Sequence, residues 1–504
     1  MSTSITIDTH QPGAVLIPMW KRLITAGRAA EGLRDDWRQH LREVQREIGF
    51  DLIRFHGLLH DDMMIYHENE QGEPYYNWQY FDNLLDFLRE IGLRPILELS
   101  FTPSLLKSGE ATVFWWKGNI TPPKDMGKWN GLIRALVVHC IDRYGLDEVL
   151  QWYFEVWNEP NLYHGFWDGT QSDYFTLYVN TARAIKSVHP GLRVGGPATS
   201  DAGAGEAPWI KDFLAFCESA QAPVDFISTH PYPNSWPFDS DGAQIMGYRD
   251  EDSTRHDIAW VRQAMQATPY RDLELHLTEW NASPSPRDLV HDTAFMAPFI
   301  IQNNLRCLGL ANSLGYWTFT DVFEEGGAGD TLFHGGFGLI NVLGLKKAAY
   351  YGYWFLSRLG NEQLAMGDDY IVTRRGETLQ VLLWNYCHYT GAFAAGDRRA
   401  LQPLSRYGVF AEKERSFELS LSGLQGSYKV VEYRLDREHG SAYDAWLHNG
   451  ALENPGPEEL AILKQATGPR GSVSLASCQG AYQRQVTLAP HGVLLIELGR
   501  VFRG

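Results

Sequence analysis

The sequence predicts an α/β architecture, a (β/α)8 TIM barrel followed by a C-terminal antiparallel β-sandwich, on three observations. Between about residues 14 and 340, eight short apolar segments alternate with helix-length amphipathic ones. After about residue 345 the chain changes to alternating polar and apolar segments cut by Gly, Pro, Asn and Ser turns. The rival fold, a doubly wound sheet, usually carries a G-x-G-x-x-G loop after an early strand, and that pattern is absent.

In order, the strand candidates are AVLIPM (14–19), DLIRFHG (51–57), RPILELS (94–100), WYFEVWN (152–158), LRVGGPA (192–198), DFISTHP (225–231), LELHLTEW (273–280) and LGYWTFT (314–320). Helical periodicity fills the gaps, as in 35–49, 81–92, 128–145 and 172–188. The sandwich is read from DYIVTRRGETLQVLLWNY, RSFELSLSGL, GSYKVVEYRL, GSVSLAS and YQRQVTLAPHGVLLIEL. This divides the chain into a catalytic barrel over 14–340 and an accessory sandwich over 345–504, with SITID (4–8) adding an edge strand to the latter.

Bulk properties narrow the partners. A net charge of −17 without any basic block repels phosphate backbones, so nucleic acid is not expected. No apolar run approaches the ~20 residues of a membrane span. Five scattered cysteines with no C-x-x-C pair, and an N-terminus without a basic-then-apolar leader, predict a cytoplasmic protein that meets small substrates. No cluster has metal-ligand spacing and no cofactor is expected. The sequence does not fix an oligomeric state; the lack of a trailing helix after the last strand leans towards a monomer.

Catalytic groups of such barrels sit at the C-terminal ends of strands. Here those ends are polar: Arg54-Phe55-His56-Gly57, Asn158-Glu159-Pro160, His230-Pro231-Tyr232, Thr278-Glu279-Trp280-Asn281 and Trp317-Thr318-Phe319-Thr320-Asp321, followed by Glu324-Glu325. The fourth and seventh strands lie across the mouth from each other, so Glu159 and Glu279 should face one another. Two facing carboxylates, one protonated and one ionised, are what glycoside hydrolysis requires.

F-E-V-W-N-E-P-N (154–161) with H-L-T-E-W-N (276–281) resembles glycoside hydrolase family 39, within a clan of retaining barrels. R-F-H-G-L-L-H-D-D-M (54–63), W-K-R-L-I-T-A-G-R-A-A-E-G-L-R (20–34), Y-W-T-F-T-D-V-F-E-E (316–325) and D-A-W-L-H-N-G (444–450) resemble that family's β-xylosidases. The resemblance implies Glu159 as acid/base and Glu279 as nucleophile. It implies Asn158 on the sugar 2-hydroxyl, Tyr232 orienting the nucleophile, His56 and Glu324 gripping sugar hydroxyls, and Trp317 as a wall under the ring. Whether Glu324 or Glu325 takes the acidic role stays open. The implied substrate is a short xylo-oligosaccharide cut from its non-reducing end. The alternatives are an α-L-iduronidase-like or arabinofuranosidase activity, or a non-catalytic sugar-binding protein.

Blander readings compete at several positions. His56, Tyr232 and Trp317 can serve as pocket support or core packing. Arg54, Glu98 and Glu155, set inside apolar strands, are better read as a buried polar network at the barrel floor than as sugar ligands. Trp115, Trp116, Phe166 and Trp167 are evenly balanced between sugar stacking and loop packing. His334 is unassigned.

Overall fold

The computed structural model describes residues 2–201, 209–323 and 325–502. Eight parallel strands close into a barrel: β1 (Leu23–Arg28), β2 (Leu52–His56), β3 (Arg94–Glu98), β4 (Tyr153–Glu155), β5 (Arg193–Thr199), β6 (Phe226–Thr229), β7 (Glu274–Trp280) and β8 (Ser313–Tyr316). Helices such as Asp35–Glu47, Gln79–Glu90, Met126–Tyr144 and Gln171–Val188 lie between them and bury one face against the barrel wall.

The first strand is not where its apolar run suggests. Ala14–Val15 pairs with Glu362–Gly367 in the second sheet, and Val15 and Ile17 are 84% and 74% exposed. The barrel instead uses LITAGR (23–28), whose Leu23, Ile24 and Ala26 are fully buried. The physical reason is position: Ala14–Val15 is an edge strand facing solvent, while polar Thr25 is tolerated inside because its hydroxyl donates to the Tyr316 carbonyl (2.6 Å).

Strand periodicity sorts the barrel interior into layers. Leu23, Leu52, Ile96, Tyr153 and Phe226 form an apolar plug at the N-terminal end. Two residues further along, the same strands present Thr25, Arg54, Glu98, Glu155 and Ser228, all fully buried. Two further again stand His56, Ser100 and His230. The interior therefore passes from apolar to charged towards the C-terminal face.

The second sheet has eight strands and curls over its own core. Arg415–Leu435 is its spine: its first half pairs in parallel with Ser2–Asp8, its second half antiparallel with Val493–Arg500, and nearly all of it with Arg470–Leu488. A register shift between Ser422 and Leu424, with Gly423 at φ +85°, lets that strand bend. Alternation then divides Thr378–Trp384 between two cores. Leu379, Val381 and Leu383 face the sheet's own interior, while Leu382 and Trp384 pack into the main core with the barrel helices. Val493 and Leu495 repeat this against Leu494, Ile496 and Leu498.

That alternation is a testable account of how the sheet is held on the barrel. Trp384→Ala, at a fully buried ring, should cost about 3–5 kcal/mol, read as a lowered urea midpoint. Leu475→Ala, 66% exposed on the same sheet, should stay within about 0.5 kcal/mol of the parent.

Candidate active site

The charged layer is organised by Arg54. Its Nε donates to Glu155 Oε2 (2.5 Å), Nη1 to Glu279 Oε1 (2.8 Å), and Nη2 to Asn158 Oδ1 (2.7 Å), with Glu98 Oε2 2.8 Å away. Every one of these groups is buried, and the guanidinium's surroundings raise its pKa and hold its charge. Burial alone would neutralise Glu98, but Arg54 and His56 outweigh it and keep its carboxyl below the usual range. His56 bridges the same groups, with Nδ1 2.7 Å from Glu98 and Nε2 3.4 Å from Glu279.

The two loop-end glutamates are delivered by irregular backbone. On β7 the register shifts between Leu277 and Trp280. This lets consecutive residues point inward: Thr278 donates to Glu155 (2.8 Å) while Glu279 meets Arg54, which a regular pleat forbids. Trp280 then turns outward onto Phe299, ring centroids 5.2 Å apart. After β4, Trp157 and Glu159 both take positive φ, +73° and +44°, on either side of Asn158. Such conformations cost about 1–3 kcal/mol each and persist where packing imposes them. Here the Trp157 indole donates to the Phe166 carbonyl (2.8 Å), and the Glu159 amide donates to that of Ala198 (2.8 Å).

Glu159 and Glu279 end up close but unlike. Their nearest oxygens, together with a ring nitrogen of His230, all lie within 4.8 Å of one another. Burial and the charge of Glu279 push Glu159 well above the ordinary carboxyl range. Burial pushes Glu279 upward too, but Arg54 and His56 oppose it, and Tyr232 donates its phenol to Oε2 (3.1 Å). Of the pair, the proton therefore belongs on Glu159. These three side chains also have a spacing that would suit a metal ion.

His230, prominent at its strand end yet not singled out from the sequence as a site residue, contacts Glu159 through Nδ1 (2.9 Å) and Thr278 through Nε2 (3.1 Å). The available signal was H-P-Y, which places His230 and Tyr232 on the same side of the β6 exit. Arg54 was expected in a floor network; it also reaches Glu279 directly. Trp317 is buried beside His56, centroids 4.6 Å apart, with Phe323 and Phe337 behind it.

Glu324 lies outside the described residues. Its neighbour Glu325 is held near Glu279, Oε2 has no hydrogen-bond partner, and burial with the Glu279 charge pushes its carboxyl up to about 8. Asn158 Nδ2 is likewise buried without a partner, its Oδ1 being held by Arg54. The loop aromatics separate. Trp167 packs against Trp157 and Tyr174, and its indole donates to Thr170 (3.0 Å). Phe166 stacks with Phe101 beside His56. Trp115 and Trp116 both face the Arg28 guanidinium, and Trp115 is 53% exposed. His334 Nδ1 bonds the Thr331 carbonyl (3.0 Å), fixing the loop after β8.

The chain matches a known family over nearly its whole length. Residues 3–483 match the model of the glycosyl hydrolases family 39. A β-xylosidase of Geobacillus stearothermophilus is 37% identical over 96% of this chain and 93% of its own. The crystal structure of a monomeric β-xylosidase from Caulobacter crescentus CB15 superimposes with a TM-score of 0.90 at 32% identity, covering 99% of this chain and 100% of that one. An α-L-iduronidase of Mus musculus is more distant, 25% identical over 92% of this chain and 76% of its own.

The hydrogen bond from Tyr232 gives a direct check. Tyr232→Phe removes a donor to the ionised form of Glu279, so that carboxyl should titrate about one unit higher. Carbon-13 NMR of glutamate-labelled protein would follow it, with Glu279→Gln identifying the resonance.

Proposed function

Since this chain belongs to the glycosyl hydrolases family 39, we propose that it is a retaining exo-β-xylosidase in which Glu159 is the acid/base and Glu279 the nucleophile. The observation that carries this reading is the asymmetric carboxylate pair, with oxygens within 4.8 Å. Retaining enzymes hold their carboxyl groups roughly 5–5.5 Å apart; inverting enzymes leave roughly 6.5–9.5 Å for a water.

Glu279, ionised and held by Arg54 and Tyr232, attacks the anomeric carbon of the terminal xylose. Glu159 gives its proton to the departing oxygen, and a glycosyl-enzyme forms. Glu159, now a carboxylate, takes a proton from the incoming water, which displaces Glu279 and releases β-xylose. The unpaired Nδ2 of Asn158 is suited to donate to the sugar 2-hydroxyl, an interaction that strengthens in the transition state. His56 and Glu325 are suited to grip the remaining hydroxyls, and Trp317 to form the wall of the glycone pocket.

Charge favours a neutral pentose over a uronate. The arginines around the mouth are already engaged. Arg28 meets Asp62 (2.6 Å) and Glu31 (3.7 Å), and Arg249 meets Asp257. Arg287 donates to the carbonyls of Pro286 (2.8 Å) and Gly327 (2.7 Å). A substrate carboxylate would add a second negative charge near Glu279, whose charge already pushes up the Glu325 carboxyl. An iduronidase-like activity is thereby disfavoured. The catalytic unit in this reading is the barrel within 14–340, less Ala14–Val15, which pair in the second sheet, and the accessory unit is the sheet within 345–504. All five cysteines are free and buried, which supports work in a reducing, cytoplasmic setting, and we favour a monomer. No helix of the described residues is long and apolar enough to cross a membrane.

Glu279→Ala should lower kcat roughly 10⁴–10⁶-fold, and azide should partly restore turnover with a glycosyl azide of inverted configuration. Near-parental turnover without azide would refute the assignment. With the parent enzyme, proton NMR should show β-xylose formed first; initial α-xylose would make Glu279 a base. A panel of nitrophenyl glycosides should rank β-xyloside first, above α-L-iduronide and α-L-arabinofuranoside.

A further inference from the structure

Glu159 must hold a proton before the first step, and the groups behind it form a chain whose polarity is determined by counting hydrogens. Glu155 is ion-paired with Arg54 through Oε2 (2.5 Å), so Oε1 is an acceptor. Thr278 stands 2.8 Å from that Oε1 and has a single hydroxyl hydrogen, which it donates there. Its oxygen then faces His230 Nε2 at 3.1 Å with only lone pairs to offer. Nε2 must therefore carry the ring hydrogen. His230 is fully buried, and burial together with the charges of Arg54 and His56 keeps it neutral. A neutral imidazole protonated on Nε2 has a bare Nδ1. That bare nitrogen lies 2.9 Å from Glu159 Oε1, where the only hydrogen available to bridge the two is the one on Glu159.

We propose that Thr278, anchored by Glu155, locks His230 in the tautomer that accepts the proton of Glu159, and so keeps the acid loaded. The proposal rests on Glu159 being the acid/base and extends it to two positioning residues that touch no substrate. The opposite tautomer would place an N–H against Glu159 and favour its carboxylate, the form unable to protonate a leaving group. It would also leave Glu155 Oε1 without its donor. The lock is reversible in the sense the mechanism needs. When Glu159 has delivered its proton, the charge of Glu279 is consumed in the glycosyl bond and no longer opposes the Glu159 carboxylate, while the lone pair on Nδ1 still does. Glu159 is then a base that gains by taking a proton from the water.

The test separates this relay from the other charges that face Glu159. Arg54, His56, Tyr232, Glu279, Asp201 and Glu325 surround it, and Thr278→Val leaves all of them in place while removing the hydroxyl. His230 is then free to turn Nδ1–H towards Glu159 and stabilise the carboxylate. The alkaline limb of kcat/KM on a substrate with a poor leaving group should move to lower pH by about one unit, with the acidic limb unmoved. Thr278→Ser restores the hydroxyl and should restore the limb. An alkaline limb unchanged in Thr278→Val, or a serine variant that behaves like valine, overturns the proposal. A second measurement reads the tautomer in the parent enzyme itself. Nitrogen-15 correlation spectra of histidine-labelled parent enzyme, with the His230 signal identified by its loss in His230→Gln, should show Nε2 protonated and Nδ1 bare between the two limbs. A protonated Nδ1 there refutes the lock. If instead Glu159→Gln retains the alkaline limb on poor leaving groups, the acid/base assignment falls, while the tautomer reading stands or falls on the spectra alone.

Discussion

A single buried guanidinium sets the electrostatics of the whole C-terminal face. Arg54 lies between Glu98, Glu155 and Glu279 with no access to solvent. Three carboxylates around one cation would be untenable in an apolar interior if the hydrogen bonds were incomplete. Here Glu98 is also met by His56 and Ser100, Glu155 by Thr278, and Glu279 by Tyr232. The surplus negative charge has one further consequence. With Glu279 ionised, its neighbours ionise less readily, and Glu159 and Glu325 are both pushed above the ordinary carboxyl range. Removing one partner of such a network leaves a buried charge uncompensated, a cost of about 3–5 kcal/mol. The same arrangement thus fixes both the geometry of the floor and the division of labour above it.

The second sheet bears on that face through the segment between Trp384 and Arg415. Arg406 donates to Asp292 (2.7 Å) and to the carbonyls of Leu289 and Phe333, joining the loops after β7 and β8. Asp292 also meets Lys347 (2.9 Å), which reaches Asp321 (3.1 Å) at the end of β8. Burial works against the Asp292 charge, but Lys347 and Arg406 outweigh it and hold its carboxyl at about 2. His388 bonds the Arg249 carbonyl (2.9 Å), and Arg249 in turn bonds the carbonyl of Tyr232 (3.0 Å). The loops that carry Tyr232, Glu279 and Glu325 are therefore braced from outside the barrel. This gives the sheet a mechanical part in holding those loops.

What could be read from the sequence follows from how local each signal is. Strand ends bearing N-E-P and T-E-W are visible because a polar residue after an apolar run is conspicuous, and seven of the eight apolar runs are strands of the closed parallel barrel. The first strand was misplaced because LITAGR carries Thr and Gly while AVLIPM looks more apolar. Which run is buried depends on the closure of the barrel, not on composition. The partners of Arg54 lie 44 to 225 residues away in sequence, since it pairs with Glu98 and Glu279. No local pattern announces such partners. His230 illustrates the same limit: it meets Thr278 on the neighbouring β7, which in turn meets Glu155 on β4, and a lone histidine at a strand end looks like packing.

The short barrel strands also explain why the site tolerates so much irregular backbone. β4 supplies only Tyr153–Glu155 to the ladder, and the chain then reaches Glu159 by way of Trp157, both residues at positive φ. β7 is longer, and its register shift is needed because both Thr278 and Glu279 must face inward. A pleated strand offers one inward residue in two, and this site needs Arg54 and His56 from β2 in that regular order but consecutive residues from β7. The bulge is the structural solution. It brings Thr278 and Glu279 side by side, the first bonded to Glu155 and the second to Arg54.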